Sequence, residues 1–181
     1  MATHDVKLGI GDVSGMFYHA PVGTALPTSA DATLAAAWQE VGYVSQDGLT
    51  VSINATTESI KDWGNRIVRV VVTNSEETAQ VSIITTSEET LATVLGEDNV
   101  AAAGGTITAN LTLATLPPEE AFLFRMKDGD DMIIVGCTKG QINALESISF
   151  QPGGAIAWTP TITALESSLK LITTTSNGSS S

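Results

Sequence analysis

Apolar side chains recur at every second position over much of the chain, the period at which strand residues share one face of a sheet. In residues 66–73, Val68, Val70 and Val72 fall on one face and Ile67, Arg69, Val71 and Thr73 on the other. In 80–86, Val81 and Ile83 alternate with Gln80 and Ser82. Residues 106–113 place Ile107, Ala109, Leu111 and Leu113 inward and Thr106, Thr108, Asn110 and Thr112 outward. Residues 121–127 and 132–138 read as two strands joined by Asp128-Gly129-Asp130-Asp131, where Asp-Gly favours a hairpin. Residues 142–150 alternate except at Glu146, which falls on the apolar parity and marks a bulge or a charge aimed outside the monomer. In 155–164, Ile156, Trp158 and Ile162 share a face, and Pro160, which lacks an N–H for the ladder, places that strand at an edge. Shorter strands are expected at 6–10 and 16–19.

One stretch reads as strand, tight turn, strand: Gly42-Tyr43-Val44-Ser45-Gln46-Asp47-Gly48-Leu49-Thr50. Trp38, Val41, Tyr43 and Val44 suit a pleated, half-buried surface. Ser45, Asp47 and Gly48 are turn formers, the Asp through its own backbone and the Gly through its tolerance of positive φ.

The period changes to that of a helix after Ser87. Ser87 is placed to cap, Glu88 and Glu89 favour the helix dipole, Leu91, Val94 and Leu95 recur at helical spacing, and Gly96 ends the run. A second, marginal helix is expected over 33–37 behind Asp31. Between these elements come a loop at 20–30, an irregular stretch at 51–65 that is part strand and part loop, a turn at 74–77 and a flexible joint at 101–105. The sum is a mainly β chain, an antiparallel β-sandwich or barrel with one flanking α-helix. It is expected to form a single domain over 1–172, followed by a disordered Ser/Thr-rich tail at 173–181.

Charge narrows the function more than composition does. The 181 residues carry 8 Lys and Arg against 20 Asp and Glu, a formal net charge of −12, too few cations to grip nucleic acid or an anionic membrane. No apolar run approaches the ~20 residues of a membrane span, and residues 1–10 lack the charged start and apolar run of a signal peptide. The one cysteine, Cys137, lies in an apolar run and reads as a buried structural thiol. No catalytic constellation stands out. His4 and His19 are the only histidines and read as solvated or packed. Residues 128–131 lack the spacing and closing Glu of a calcium loop. No cofactor, metal or catalytic residue is expected.

The wording of the Gly42–Thr50 stretch, followed by Ile60-Lys61-Asp62-Trp63-Gly64, resembles the major tail tube proteins of long-tailed, non-contractile bacteriophages, nearest to those infecting actinobacteria. The likeness continues upstream in Gly15-Met16-Phe17-Tyr18-His19-Ala20-Pro21-Val22-Gly23-Thr24, and downstream in Leu95-Gly96-Glu97-Asp98-Asn99-Val100 and in residues 157–164. The ordered set covers nearly the whole chain. Its motif residues are Gly42, Tyr43, Ser45, Asp47, Gly48, Trp63 and Gly64.

The resemblance implies a twisted β-barrel or sandwich with one helix, and a structural subunit in the virion tail, made in the host cytoplasm. It implies that six copies close into a ring and that rings stack into a tube around a tape measure protein, with tail terminator and distal tail proteins at its ends. The genome passes through that tube without specific binding. The stretches 20–30 and 52–65 are candidate arms to the next ring, with Ile60 and Trp63 as candidate contacts. The alternatives are a monomeric immunoglobulin-like adhesion or carbohydrate-binding module, or another virion protein such as a tail terminator.

Overall fold

The computed structural model describes residues 7–11, 16–166 and 168–174. Within them the order is β1 (Ile10–Gly11), β2 (Phe17–Pro21), β3 (Gln39–Gly42), β4 (Val44–Lys61), β5 (Ile67–Ile83), α1 (Glu88–Leu95), β6 (Val100–Ala103), β7 (Thr106–Ala109), β8 (Glu120–Asp128), β9 (Asp131–Leu145), β10 (Pro160–Ala164) and β11 (Lys170–Thr173). A 3-10 turn, Glu97–Asn99, follows α1. The chain is mainly β, antiparallel, with one helix, as its residue pattern predicts.

Nine strands form one sheet in the order β3-β2-β8-β9-β10-β5-β4, with β1 added to β8 and β11 to β9. β6 and β7 form a separate hairpin. Strands β3 and β4 stand at opposite ends of that order, yet only Tyr43 separates them in the chain. The sheet therefore curls until its two ends meet. Tyr43 closes the seam: its N–H donates to Thr85 Oγ1 at 2.8 Å, and its carbonyl accepts from Ile84 N at 2.9 Å. Gly42 permits the approach. Its φ is +153°, and a Cβ there would lie 2.7 Å from Thr85 Cβ.

Strands β2, β8 and β9 are buried on both faces, and the alternation of their side chains shows why. Phe17, Phe122 and Phe124 point into the main core with Val81, Ile83, Ile142, Trp158 and Ile162. The Phe17 ring stacks on Phe124 at 4.7 Å and 6°, and on Phe122 at 6.0 Å and 23°. Tyr18, Ala121, Leu123 and Ile134 point the other way into a second core with Trp38, covered by Leu26, Leu34 and Ile172. Cys137 is buried in the main core, and burial pushes its thiol above the usual range.

Helix α1 roofs the main core with the ends its residues predict. Ser87 Oγ accepts from Thr90 N at 3.2 Å, and Gly96 N donates to Ala92 O at 2.8 Å. Leu91, Val94 and Leu95 are buried, and Thr90 Oγ1 donates to Val41 O of β3 at 2.6 Å. Eight residues are too few to hold a helix in water, so this packing is what maintains it.

Several expectations are corrected. No helix forms at 33–37. Five residues do not offset helix nucleation, and Trp38 docks into the second core after a turn in which its N–H reaches Ala35 O at 3.0 Å. The joint at 101–105 is a hairpin, with Gly104 and Gly105 at φ +58° and +79° between β6 and β7. β7 ends at Ala109; Ala109 packs on the main core as its parity predicts, but Ile107 and Leu111 are exposed rather than inward. β9 runs without a break from Asp131 to Leu145, so of the strand expected at 142–150 only 142–145 form, as its last portion. The bulge against β10 falls at Asn143, not at Glu146, whose carboxylate accepts from Gln80 Nε2 at 2.8 Å within the same monomer. The last long strand begins only at Pro160, and it lies between β9 and β5 rather than at an edge. Pro160, which has no N–H to give, falls where the pairing with β5 is interrupted, between the Trp158–Ile83 bridge and Thr161 opposite Gln80.

The loop at 20–30 is tied to its own domain. Gly23 N donates to Thr138 O at 2.8 Å, Leu26 packs on the second core, and Ala30 is buried. Thr173 ends β11, and Thr174 N donates to Met132 O at 3.1 Å. Residues 175–181, His4 and Gly15 lie outside the described residues. Among the described residues no helix is long and apolar enough to cross a membrane.

Candidate interaction surface

Strand β5 pairs with β10 only as far as Thr78 opposite Thr163. From Glu77 out to Ile67 its sole strand partner among the described residues is β4. Those eleven positions carry a two-stranded ribbon roughly 35 Å beyond the body, at about 3.3 Å per residue. The stretch expected to be irregular over 51–65 is thus strand as far as Lys61, and the turn expected at 74–77 is strand too, with Asn54 opposite Glu76 and a bulge at Thr73. We call residues 52–77 the arm.

The two faces of the arm differ. Thr50, Ser52, Asn54 and Thr56 lie opposite Gln80, Thr78, Glu76 and Asn74, which makes one face polar. On the other, Val51 and Ile53 continue toward Val68, Val70 and Val72. Ile53 is 73% exposed, Val68 62%, Val70 57% and Val72 59%. An isolated hairpin is marginally stable in water. Each large β-branched side chain left uncovered forgoes about 1.5–3 kcal/mol that burial would return. Among the described residues no further strand pairs with either edge of the arm, along β4 or along β5 beyond Thr78, and such edges present backbone groups to a partner.

The motif residues do not form one site. Gly42, Tyr43, Ser45, Asp47 and Gly48 stand at the root of the arm, while Ile60, Trp63 and Gly64 stand at its tip. At the root, Val44 pairs with Ile83 and Leu49 with Val81, so the four residues between them bulge out of the ladder. Ser45 Oγ donates to Asp47 Oδ2 at 2.9 Å, Asp47 N donates to Ser45 Oγ at 3.1 Å, and Gly48 takes φ +71°. The turn chemistry is present, but it builds a bulge inside one strand rather than a turn between two. Bulges bend their strand, and this one lies in the body, before the paired residues Leu49, Thr50 and Val51 that lead to the arm.

At the tip, Asp62 fixes the turn. Its Oδ1 accepts from Arg66 N at 2.9 Å, and its Oδ2 accepts from Arg66 Nε at 2.8 Å and Nη2 at 2.7 Å. The Arg66 backbone N–H and guanidinium hold this carboxyl below the ordinary range. Trp63 projects from the turn, fully exposed at 106%. Ile60 is half exposed beside it. Three of the eight cations in the chain, Lys61, Arg66 and Arg69, fall within these few residues.

Past the other end of β5 lies a cleft of about 660 Å³ between α1, β2, β3 and β8. Glu88, Glu89, Glu97 and Glu120 line it, with Ala92, Val100 and Pro118 as its apolar part. His19 is clasped there. Its Nδ1 lies 3.0 Å from Glu120 Oε2 and its Nε2 3.4 Å from Glu89 Oε1. Burial lowers its basicity, but the hydrogen bonds and charges of Glu120 and Glu89 outweigh that and hold its pKa above the ordinary value. The residue pattern offers no signal for this clasp, because its members are 70 and 101 residues apart.

The acidic hairpin at 128–131 ties distant segments together. Asp131 accepts from Lys7 Nζ at 2.6 Å and from Thr174 Oγ1 at 3.1 Å, and Asp128 accepts from Leu8 N at 2.8 Å. Lys7 first, then Thr174, hold the Asp131 carboxyl below its usual range. Among the described residues no group of three or more His, Cys, Asp or Glu is placed to hold a metal ion.

A family model described as phage tail tube protein matches residues 8–174. No curated protein matches. Among solved structures, the tube-terminating cap of the anti-feeding prophage aligns with a TM-score of 0.48 at 10% identity, over 94% of this chain and 99% of that one. The tail of an empty GTA particle, computed with helical refinement and C6 symmetry, aligns at 0.44 and 10% identity, over 88% and 96%. The sheath–tube complex of an extracellular contractile injection system aligns at 0.42 and 10%, over 91% and 90%.

Proposed function

The chain belongs to the phage tail tube protein family, and from that membership we propose that its copies close into rings of six that stack into a hollow tube for genome delivery. The family is one of structural proteins, and the chain works as a subunit of the virion tail. Residues 1–172 act as one domain. A tape measure protein occupies the tube during assembly in the host cytoplasm, and terminator and distal tail proteins close its ends.

One observation carries this reading: a two-stranded arm with four uncovered β-branched side chains on one face and free edges on both sides. A second copy covers such an arm, and contacts of that kind propagate into rings and filaments. A monomeric adhesion module has no use for it. Ile60 and Trp63, at the tip, make contact with the neighbouring ring. The net charge of −12 suits a wall past which DNA moves without sticking, since like charges repel within a Debye length of roughly 8 Å at physiological salt.

The test is to remove residues 56–74 and close Ala55 to Ser75 with an Asn-Gly turn, which suits a two-residue hairpin. Negative-stain microscopy of the concentrated full-length protein is expected to show tubes. The shortened protein is expected to keep the circular dichroism spectrum of a folded chain and to form no tubes. Normal tubes from the shortened protein would refute the role given to the arm.

A further inference from the structure

We infer that the arm tip of one copy docks in the acidic cleft beside α1 of a second copy. The inference rests on the tube reading and names the receptor that the arm requires. The tip gathers three of the eight cations of this acidic chain, Lys61, Arg66 and Arg69, with Asp62 already committed to Arg66. The cleft is its complement, lined by Glu88, Glu89, Glu97 and Glu120, with no Lys or Arg in its wall. Trp63 projects bare from the tip, and Ala92, Val100 and Pro118 give the cleft an apolar part that an indole covers. An exposed aromatic flanked by cations, entering a concave site with an apolar part and an acidic rim, is the arrangement in which aromatic anchors carry binding and charges set register.

Geometry decides that the partner is another copy. The tip precedes the first residue of β5, and the cleft begins at Ser87, past its last. Seventeen strand residues separate the two ends, roughly 55 Å at about 3.3 Å per residue. β4 is paired with β5 along this length, so the tip cannot fold back onto its own cleft. Tip and cleft are different surfaces at opposite ends of the molecule. A copy that inserts its tip into a neighbour leaves its own cleft for a third, which makes a heterologous contact that continues along the strand direction.

The test uses full-length chains and the lowest concentration at which tubes appear by microscopy. Lys61→Glu/Arg69→Glu reverses the tip, Glu88→Lys/Glu97→Lys reverses the cleft, and a fourfold variant carries both. The clasp of His19 by Glu89 and Glu120 and the Asp62–Arg66 turn are left intact. Each reversal alone is expected to raise the threshold by more than about tenfold, as like-charge juxtaposition does at interfaces. The fourfold variant, and an equimolar mixture of the two reversed chains, are expected to return it to near the wild-type value, because each negative surface again meets a positive one. Tubes from the cleft-reversed chain at the wild-type threshold overturn the inference, and so does loss without rescue in both the fourfold variant and the mixture. Wild-type chains that form no tubes at any concentration end the tube reading and this inference together. Wild-type tubes with an indifferent cleft end this inference alone.

Discussion

The two halves of β5 carry the same kind of residue at the same period and live in opposite environments. Ala79, Val81 and Ile83 are 0%, 1% and 0% exposed, whereas Val68, Val70 and Val72 are 62%, 57% and 59% exposed. Nothing in local strand preference separates them, since β-branched residues on one face suit either half. What differs is the cover. The inner half is flanked by β4 and β10, with α1 and Trp158 in the same core, and the outer half has β4 alone. Strand period reports that a face exists. It does not report whether the chain itself, or another copy of it, lies over that face.

That contrast is open to direct measurement, and the largest effect belongs to the body. Phe124→Ala removes a fully buried ring stacked on Phe17 and is expected to cost about 3–5 kcal/mol in urea unfolding of the monomer. Val70→Ala on the arm is expected to change monomer stability by less than about 0.5 kcal/mol, as for exposed positions generally, while reducing tube formation. A cost at Val70 comparable to that at Phe124 would mean that the arm is covered within the single chain, and the distinction between the halves would collapse.

The seam that closes the body comes next. Gly42→Ala places a Cβ 2.7 Å from Thr85 at a φ of +153°, where the curled sheet closes on itself. Strained backbone of this kind costs of order 1–3 kcal/mol. The variant is expected to melt earlier than wild type, with Thr85→Gly recovering part of the loss by removing the side chain that clashes. A variant as stable as wild type would show that the seam opens freely, and the body would then be less closed than its hydrogen bonds at Tyr43 imply.

How much of this was legible in the residues follows from the same contrast. Local chemistry was readable wherever it was sufficient. Ser87 to Gly96 form the helix with the cap and stop their types require, and the Gly129–Asp130 turn joins β8 to β9. The arm was misread because its two strands lack the usual sign. Residues 52–59 are mostly polar, for neither of their faces meets a core, and so they read as irregular. Asn74, Ser75, Glu76 and Glu77 have turn composition, but pairing across to β4 at residues 53–56 keeps them extended. Residues 106–113 depart in the opposite sense: the alternation is clean, yet on its apolar face only Ala109 reaches the main core, while Ile107 and Leu111 are exposed. Ile60 and Trp63 stand out in the sequence as buried-type residues in a stretch without period, and the structure puts both at the exposed tip. A surface that receives them under the proposal above lies at the far end of the same chain, which is why a strand period cannot point to it.

The smallest effect concerns how α1 is held over the body. His19 of β2 lies between Glu120 of β8 and Glu89 of α1, with Glu88 and Glu97 the other carboxylates lining the cleft. Burial disfavours its charge, yet the two carboxylates more than compensate, and its pKa in the folded protein stands above the ordinary 6.5. A basic group whose pKa is raised on folding stabilises the folded state fully below its unfolded pKa, and that contribution fades as pH rises through the folded value. The clasp therefore tightens α1 against the sheet below the raised pKa of His19 and relaxes above it. His19→Gln keeps a hydrogen-bonding side chain of similar reach but gains no proton. The stability difference between wild type and this variant is expected to be larger at about pH 6 than at about pH 9, with the crossover above 6.5. A difference that stays constant across that interval would show that α1 is held by Leu91, Val94, Leu95 and the Thr90–Val41 hydrogen bond without help from the ion pairs. The helix would then belong entirely to the buried half of the comparison, and the cleft carboxylates would be left wholly to whatever docks beside them.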